Sequence, residues 1–530
     1  MKKGLKRVIT IIVLLALIGG GIFYLKNNEK KNIPNLKVVL GSEPNSLDPA
    51  ISLTIDVRSY LSNLYEGLVN INEKGEVFEG VSDKWETNDN NTEYTFHIRK
   101  DAKWSDGTEV TAKDFKYSWL RVLDPKTASG WASYLYYIKG AEAYNSGTGS
   151  KEDVGLTVVD DKTLKVTLES PCSFFTSMTA LQPYYPVKEK VVSKNPEWAS
   201  SKETYITNGA FELDSWKHDE KIVIKKSENY WNKNKIYIDK INFELLSDST
   251  VVINSYESGD LDFVQNMATY DEMKQVGTIS SSDFVYTKFL ALNSNSEVLK
   301  NDKVREAISI ALDRKELSKL MGSGINPLTS FVPYGFYNTS ERKDYTEDSN
   351  SKTYLKETAE IEKAKKLIKE SGLDNIELTY LTNTSSTNIA LSEIVKEQLS
   401  KVGITVNIQA LEKKVFNEYR RGKKFDIVAA SWAAEYPDIS SYLYGFRSTD
   451  VNNYSGFSSK EFDSLYKKII TEDNQAKKFK YTHDAENLVM DSSLIIPLYS
   501  EGTYYLKNEK LTNAYHDVTG CLIIKYAYFK

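Results

Sequence analysis

The first half of the chain contains short stretches in which apolar and polar residues alternate, as they do in half-buried strands. Residues 94–98 and 164–168 show this alternation clearly. A short helix is predicted over 56–64. Another begins at Thr111, where Asp114 three residues later completes a capping-box pattern. This half is therefore predicted to be α+β and rich in short strands.

The second half has a different pattern, in which helical periodicity and short apolar runs follow each other in turn. This alternation predicts an α/β lobe with a largely parallel sheet. The polar segment 340–351 is predicted to be a surface loop. The predicted helices cover 359–371, 389–402 and 415–421, and the predicted strands cover 376–381, 404–411 and 425–431.

Length and composition narrow the class of protein. A chain of 530 residues is too long for one hydrophobic core, so we expect two or three domains. The formal net charge of −5, with both signs interspersed, gives no basic footprint for nucleic acid. The 35 tyrosines and 8 tryptophans are typical either of a tyrosine-rich core and surface or of an aromatic-lined cleft.

Residues 1–31 form a separate unit, because an apolar run over 8–25 is flanked by lysine and arginine. We expect an uncleaved membrane anchor whose basic N-terminal flank stays in the cytoplasm. Cleavage near 19–21 is the alternative. The run contains no cysteine, which excludes a lipoprotein anchor. In either case the remaining chain is exported.

Export makes the cysteine count relevant, because disulfides form outside the cytoplasm. Cys172 and Cys521 are the only two cysteines of the sequence. They permit one disulfide, but two buried free thiols are the preferred interpretation.

Catalytic signatures are absent from the sequence. It has no glycine-rich phosphate loop ending in Lys-Ser or Lys-Thr, no paired-histidine metal motif and no nucleophile elbow. The four histidines lie far apart along the chain. We therefore predict a protein that is not an enzyme and needs no metal or cofactor.

One acidic segment has a context that favours binding. The predicted strand 425–431 is followed directly by Trp432, Glu435 and Asp438. Ligands of open α/β sheets bind outside the carboxyl ends of the strands, and carboxylates there suit a cationic group. The alternative is a helix N-cap with an acidic first turn.

Several blocks of the sequence then resemble a known family. Residues 94–110 resemble the hallmark of the peptide/nickel family of extracellular solute-binding proteins, and 208–216, 229–231 and 304–314 look like its other standard blocks. Residues 127–135 are similar to the oligopeptide-binding branch. The resemblance extends from about residue 36 to the C-terminus.

The resemblance implies a two-lobed α/β fold of the type II periplasmic-binding-protein class, closing on a ligand in the cleft. Lobe one would cover 32–288 and 496–530, with a small inserted α+β subdomain at about 50–185, and lobe two 289–495. The chain would cross between the lobes near 288–293 and 495–499.

The resemblance also implies a set of site residues. The segments 43–45 and 431–433 would pair with the ligand backbone, and Glu435 stands where relatives carry an aspartate for the ligand's α-ammonium. Asp438 is the substitute if Glu435 does not serve. The complete set is Glu43, Pro44, Asn45, Trp131, Lys413, Arg420, Ser431, Trp432, Ala433, Glu435 and Asp438.

The end of the site that would hold the ligand carboxylate departs from the family pattern. Ala429 replaces an arginine, Asn388 or a neighbour replaces a histidine, and Lys413 replaces a pocket tryptophan. Arg420 matches a family arginine, and Arg421 adjoins it. Arg420 or Arg421, with Lys413 nearby in sequence, are the candidates for the ligand carboxylate. The alternative, which is slightly preferred, is a solvated basic helix end, because Lys423 and Lys424 continue the basic run.

The implied function is the capture of oligopeptides outside the cytoplasm and their delivery to an ABC importer. The partners would be the peptide, the permease subunits and the membrane, the last through residues 1–31, with no nucleic acid and a monomeric state. The alternatives are a peptide sensor or pheromone receptor on the same fold and, from a different class, an exported hydrolase.

Overall fold

The structure is a computed structural model that describes residues 30–530 except 42, 53, 266–268, 283–285, 339–342, 437, 451 and 518. The expected anchor therefore lies outside the described residues, apart from Lys30 and Lys31. In the part of the chain that is described, no helix is long and apolar enough to cross a membrane.

The first lobe is built on a mixed sheet whose first strand along the chain is Leu36–Val39. Leu36–Val39 lies in the interior of this sheet, parallel to both of its neighbours. In spatial order the strands are Ser280–Ser282, Thr503–Lys507, Phe263–Gln265, Leu36–Val39, Lys240–Glu244, Lys221–Lys226 and Phe211–Lys217.

A separate antiparallel sheet lies inside the range expected for an inserted subdomain. The alternation predicted at 94–98 is confirmed, since Tyr94, Phe96 and Ile98 are buried while their neighbours are partly exposed. The predicted capping box is also confirmed, because Asp114 accepts hydrogen bonds from the backbone N–H and the hydroxyl of Thr111. The strands are Ser82–Thr87, Glu93–Ile98, Thr163–Thr167 and Leu156–Asp160 in spatial order.

The second lobe has a mixed sheet, so the prediction of a largely parallel sheet is wrong. The strands supplied by the α/β stretch pair in parallel, but the others enter antiparallel because they come from distant parts of the chain. In spatial order they are Ile325–Pro327, Ile495–Glu501, Tyr286–Leu292, Ile427–Ala433, Glu377–Asn383 and Thr405–Leu411.

Short strand pairs complete the β-structure: Val69–Ile71 with Val77–Glu79, Tyr337–Asn338 with Lys343–Asp344, Leu511–Thr512 with Tyr528–Phe529, and Tyr515–His516 with Leu522–Ile523. The α-helices of the first lobe are Ile55–Leu64, Ala112–Leu123, Ala141–Asn145, Phe175–Met178, Glu189–Val192, Ser249–Glu257 and Tyr270–Val276. Those of the second lobe are Asp302–Ala311, Arg314–Met321, Ile361–Ser371, Ser386–Ser400, Lys413–Arg421, Ser440–Leu443, Lys460–Thr471 and Gln475–Asp491.

The chain changes lobes at points close to those expected, but not at the same residues. Tyr286–Leu292 and Ile495–Glu501 pair along their length inside the second-lobe sheet. The changes therefore fall between Ser282 and Tyr286, and at Gly502. The expected boundaries at 288/289 and 495/496 fall inside these strands, because apolar strand residues do not show which sheet they join.

Each lobe has its own large hydrophobic core, which confirms the two-lobed fold. The cores approach each other at Tyr436 of the second lobe, whose ring stacks on Phe174 of the first lobe with 4.8 Å between the centroids. A smaller cluster lies under the helices Ser249–Glu257 and Tyr270–Val276.

The prediction of a surface loop over 340–351 is wrong at its centre. Asp344 and Tyr345 are buried, and the Tyr345 hydroxyl donates a hydrogen bond of 2.7 Å to Glu486. The polar composition of the segment did not indicate this burial, because the buried polar groups of Asp344 and Tyr345 are hydrogen-bonded to other residues of the protein.

The interpretation of the cysteines as free thiols is confirmed. Cys172 and Cys521 are both buried and unpaired with each other. Burial raises the pKa of each thiol.

Candidate functional site

The strand Ile427–Ala433 has one open backbone edge. Its pairing with Tyr286–Leu292 runs its whole length, from Ile427 opposite Leu292 to Ala433 opposite Tyr286. On the other side, its registered pairing with Glu377–Asn383 covers only Ile427 and Val428. In the described part of the chain, the edge from 429 to 433 therefore has no neighbouring strand. Such an edge can accept an extended peptide as an additional strand.

Glu435 lies just beyond the end of this strand. Its carboxylate is half-buried, and the hydroxyls of Tyr444 and Tyr134 face it. Burial raises the pKa of the carboxyl, although hydrogen bonds from these tyrosines and the charge of Arg58 oppose the shift. Among the described residues, no basic side chain forms an ion pair with Glu435. The site therefore has a negative charge available for a cationic ligand group.

Aromatic side chains of the first lobe face Glu435. The rings of Trp131 and Tyr134 meet edge to face at 5.0 Å, and Trp131 is fixed by donating a hydrogen bond of 2.6 Å to the carbonyl of Ser52. Glu435 and Tyr134 line two adjoining cavities, one of them with a volume of about 590 Å³. Residues of both lobes line these cavities. The smaller cavity is lined by Arg58, Trp131, Tyr134, Tyr185 and Tyr515 of the first lobe, and the larger one by Tyr137 of the first lobe and by Tyr444, Arg447 and Tyr466 of the second lobe.

Both interpretations of the tyrosine content therefore hold. Tyrosines line the cavities around Glu435, and others, including Tyr60, Tyr65 and Tyr380, are fully buried in the cores.

The side chains near the open edge of Ile427–Ala433 point alternately to the two faces of the second-lobe sheet. The Trp432 indole turns into the second lobe, donates to the carbonyl of Ser441 at 2.9 Å and packs against Tyr444. A Cβ on Gly445 would lie 2.4 Å from this indole, so only glycine leaves room for it. Trp432 thus supports Tyr444 from behind. Ser431 points the other way and accepts a hydrogen bond from Tyr286, and Ala433 is half-buried at the strand end.

Asp438 has a different role from the one expected. It is buried and forms an ion pair of 2.7 Å with Lys478, whose ammonium also donates to Ser173 of the first lobe. Its other carboxylate oxygen accepts the backbone N–H of Ser440. The substitute role for Asp438 in binding a ligand amine is therefore not supported, because its charge is already neutralised by Lys478.

The first-lobe segment 43–45 does not join the Glu435 cavities. Glu43 accepts hydrogen bonds from Trp216, near the end of Phe211–Lys217, and from His218 and the backbone of Asp219 in the turn that follows. Pro44 is buried, whereas Asn45 is exposed. The segment is held firmly beside the end of Leu36–Val39, and its pairing with a ligand stays a prediction.

The basic candidates on Lys413–Arg421 are likewise not brought to Glu435. The Arg420 guanidinium lies 4.5 Å from the centre of the Tyr454 ring and donates to Asn417. Lys413 and Arg421 are exposed at the two ends of the helix. None of these residues lines either cavity that contains Glu435.

Sequence reasoning missed Tyr134, Tyr444 and Lys288. Tyr134 belongs to the same aromatic block as Trp131, and that proximity was a usable signal. Lys288 is a charged residue directly before the apolar second half of Tyr286–Leu292, and it is buried, with 9% of its surface exposed. Its ammonium donates to Asn388 at 3.2 Å and to Ser431 at 3.4 Å.

Comparison with known proteins gives consistent matches over nearly the whole chain. Residues 76–454 match the family model described as bacterial extracellular solute-binding proteins, family 5. The chain is 34% identical to the dipeptide-binding protein DppE of Bacillus subtilis over 492 residues, which cover 92% of this chain and 90% of that protein.

Solved structures give the same result for the fold. The unliganded open form of the periplasmic murein tripeptide binding protein MppA superposes with a TM-score of 0.81 at 28% identity, covering 94% of this chain and 98% of the other. OppA of Listeria monocytogenes bound to peptide gives a TM-score of 0.71 at 26% identity, covering 94% and 99%.

Proposed function

Because the chain belongs to the bacterial extracellular solute-binding proteins of family 5, we propose that it captures oligopeptides and delivers them to the permease of an ABC importer. The open edge at 429–433, with Glu435 directly after it, is the observation that carries the proposal. An extended peptide has the backbone N–H and C=O groups that can pair with such an edge, and a free amino group whose charge Glu435 would neutralise.

The mechanism of capture follows from the positions of the strand edge, the Glu435 carboxylate and the two cavities. The ligand backbone pairs with the strand edge, which gives affinity without reading the peptide sequence. Its ammonium enters the space between Glu435, Tyr134 and Tyr444, and its side chains extend into the adjoining cavities. The two lobes then close, because groups from both lobes line these cavities.

The location and assembly state belong to the same proposal. Residues 1–31 hold the protein at the outer face of the membrane, and the protein acts as a monomer that docks on the permease. The ligand leaves the cleft chemically unchanged. The described residues include no cluster of three or more histidine, cysteine, aspartate or glutamate side chains suited to a metal.

Native mass spectrometry of the protein purified without denaturation tests the proposal. We expect satellite peaks whose mass excess corresponds to short peptides, and their loss after unfolding and refolding. Calorimetry on the refolded protein should then show binding of defined peptides, recovered intact afterwards. Absence of peptide binding would contradict peptide capture, recovered fragments would indicate hydrolysis, and binding without uptake by cells that carry the permease would favour a sensor.

A further inference from the structure

Lys288 is a buried lysine beside the open edge of Ile427–Ala433, and its surroundings are unusual for a lysine. It lies on Tyr286–Leu292 directly opposite Ser431, so both side chains occupy the same face of the second-lobe sheet. Its ammonium donates to two neutral oxygens, those of Asn388 and Ser431. Among the described residues, no carboxylate lies within ion-pair distance of this ammonium.

An ammonium that is buried without a counter-ion is costly, because it has lost its hydration and gained no opposite charge. The pKa of Lys288 is lowered by this burial, and the charge of Glu501 opposes the shift only from beyond contact distance. By contrast, Lys478 and Lys525, the other lysines that are almost fully buried among the described residues, form ion pairs with Asp438 and Glu66. Lys288 thus lacks the anion that its buried counterparts have.

The surrounding backbone also favours an anion. Asn388 is the third residue of Ser386–Ser400, and the N-cap residue of this helix, Ser385, makes no side-chain capping hydrogen bond. The first turn of a helix carries a partial positive charge and N–H groups without helical acceptors. Lys288 and this helix end therefore add their positive potentials at one place.

That place adjoins the open strand edge. Ser431, which contacts Lys288, is itself an edge residue, and Ala429 two positions earlier on the same face has only a methyl group to fill the space. The geometry points to Lys288, with Asn388 and Ser431, as the binding site for the C-terminal carboxylate of the peptide. This assignment rests on the proposed function.

The assignment also limits ligand length. Ser431 and Glu435 are four residues apart, at most roughly 13 Å in an extended chain. An extended tripeptide spans roughly 10 Å. A peptide whose ammonium is at Glu435 and whose carboxylate is at Lys288 therefore has about three residues and runs antiparallel to Ile427–Ala433.

Calorimetry with trialanine and its C-terminal amide tests the assignment. We expect the wild type to bind the acid roughly ten- to one-hundred-fold more tightly than the amide, the usual range for a charge-assisted hydrogen bond. Lys288→Met should lose that preference by binding the acid more weakly and the amide about as well. Lys369→Met, which changes an exposed lysine of the same lobe outside every proposed site, is the matched control and should retain the preference.

Other outcomes would overturn the assignment while leaving peptide capture intact. An unchanged preference for the acid in Lys288→Met, with the protein folded by thermal melting, would exclude Lys288. Full recovery of affinity by Ala-Ala-Asp amide would show that the site reads a side-chain carboxylate and not the C-terminus. Loss of the preference in Arg420→Met instead would assign the carboxylate to the helix Lys413–Arg421. Absence of binding by any peptide would contradict the proposed function itself.

Discussion

In the proposed function, Glu435 determines which end of a peptide the site holds, because it combines partial burial with a charge that has no ion-pair partner among the described residues. Glu435→Gln keeps the volume and removes the charge. A charge-assisted hydrogen bond contributes about 1.5–3 kcal/mol, so peptide affinity should fall by about one to two orders of magnitude. Calorimetry with free and N-acetylated peptides provides the measurement.

Acetylation of the peptide should weaken binding to the wild type by a similar factor, and to Glu435→Gln much less. Glu418→Gln, an exposed position in the same lobe, is the control and should behave as the wild type. Equal affinity of Glu435→Gln and the wild type for free-amine peptides would show that Glu435 does not bind the ammonium.

Glu486 is a second buried carboxyl, and it links stability to pH. Burial raises its pKa from 4.5 to about 7, although hydrogen bonds from the backbone of Val332 and Phe331 and from Tyr345 oppose the shift. The folded state therefore binds the proton more tightly than the unfolded state. Its contribution to stability is complete below about pH 4.5 and is lost as the pH rises through 7.

The free energy of unfolding should consequently fall between pH 4.5 and pH 7, by up to about 1.4 kcal/mol per pH unit from this group. Glu486→Gln is neutral throughout and should lack that slope when denaturant curves are recorded across the range. Glu362→Gln, which removes an exposed carboxylate, should retain it. Parallel pH profiles for the wild type and Glu486→Gln would contradict the prediction.

At the scale of elements, the helix Gln475–Asp491 is tied to the segment after Ile427–Ala433 by the Lys478–Asp438 ion pair. Asp438→Asn leaves the buried ammonium without a counter-ion, which costs about 3–5 kcal/mol. Chemical denaturation should show this loss, and the double variant Asp438→Asn with Lys478→Met should recover much of it. Peptide affinity measured below the unfolding transition should hardly change. If Asp438→Asn kept normal stability but lost peptide binding, Asp438 would instead be a ligand-binding residue.

The elements themselves were largely predictable, because helices and strands depend on local pattern. The helix Ile361–Ser371 ends at Gly372, whose φ of 71° is the left-handed conformation that glycine adopts readily. Glu93–Ile98 shows its alternation directly. The neighbours of each strand were not predictable, since pairing depends on packing between distant segments. Tyr286–Leu292 and Ile495–Glu501 are adjacent in the sheet but lie far apart in sequence.

The same limit applies to the site. Glu435 could be predicted as a site residue from its position after a strand, together with the family resemblance. Lys288 was not, because its contacts are with Asn388 and Ser431, which are 100 and 143 residues away. A lysine in a strand has no sequence feature that indicates whether its charge is solvated, paired or reserved for a ligand.

For the whole molecule, residues of both lobes line the cavities around Glu435, so a bound peptide would contact both lobes. Peptide binding should close them. Small-angle scattering should therefore show a smaller radius of gyration in saturating peptide, and the melting temperature should rise. At a ligand concentration one hundred times the dissociation constant, the stabilisation should be about 2.7 kcal/mol. An unchanged radius alongside measurable binding would show that the lobes do not close.

The position of Thr503–Lys507 also limits when the first-lobe sheet can finish folding. This strand lies between Phe263–Gln265 and Ser280–Ser282 in the first-lobe sheet, although the entire second lobe separates it from them in sequence. A chain that leaves the ribosome and crosses the membrane from its N-terminus cannot finish the first lobe until this late strand arrives. The part of the chain that is synthesised first therefore waits for the part that is synthesised last, and until then Phe263–Gln265 and Ser280–Ser282 lack the strand that joins them.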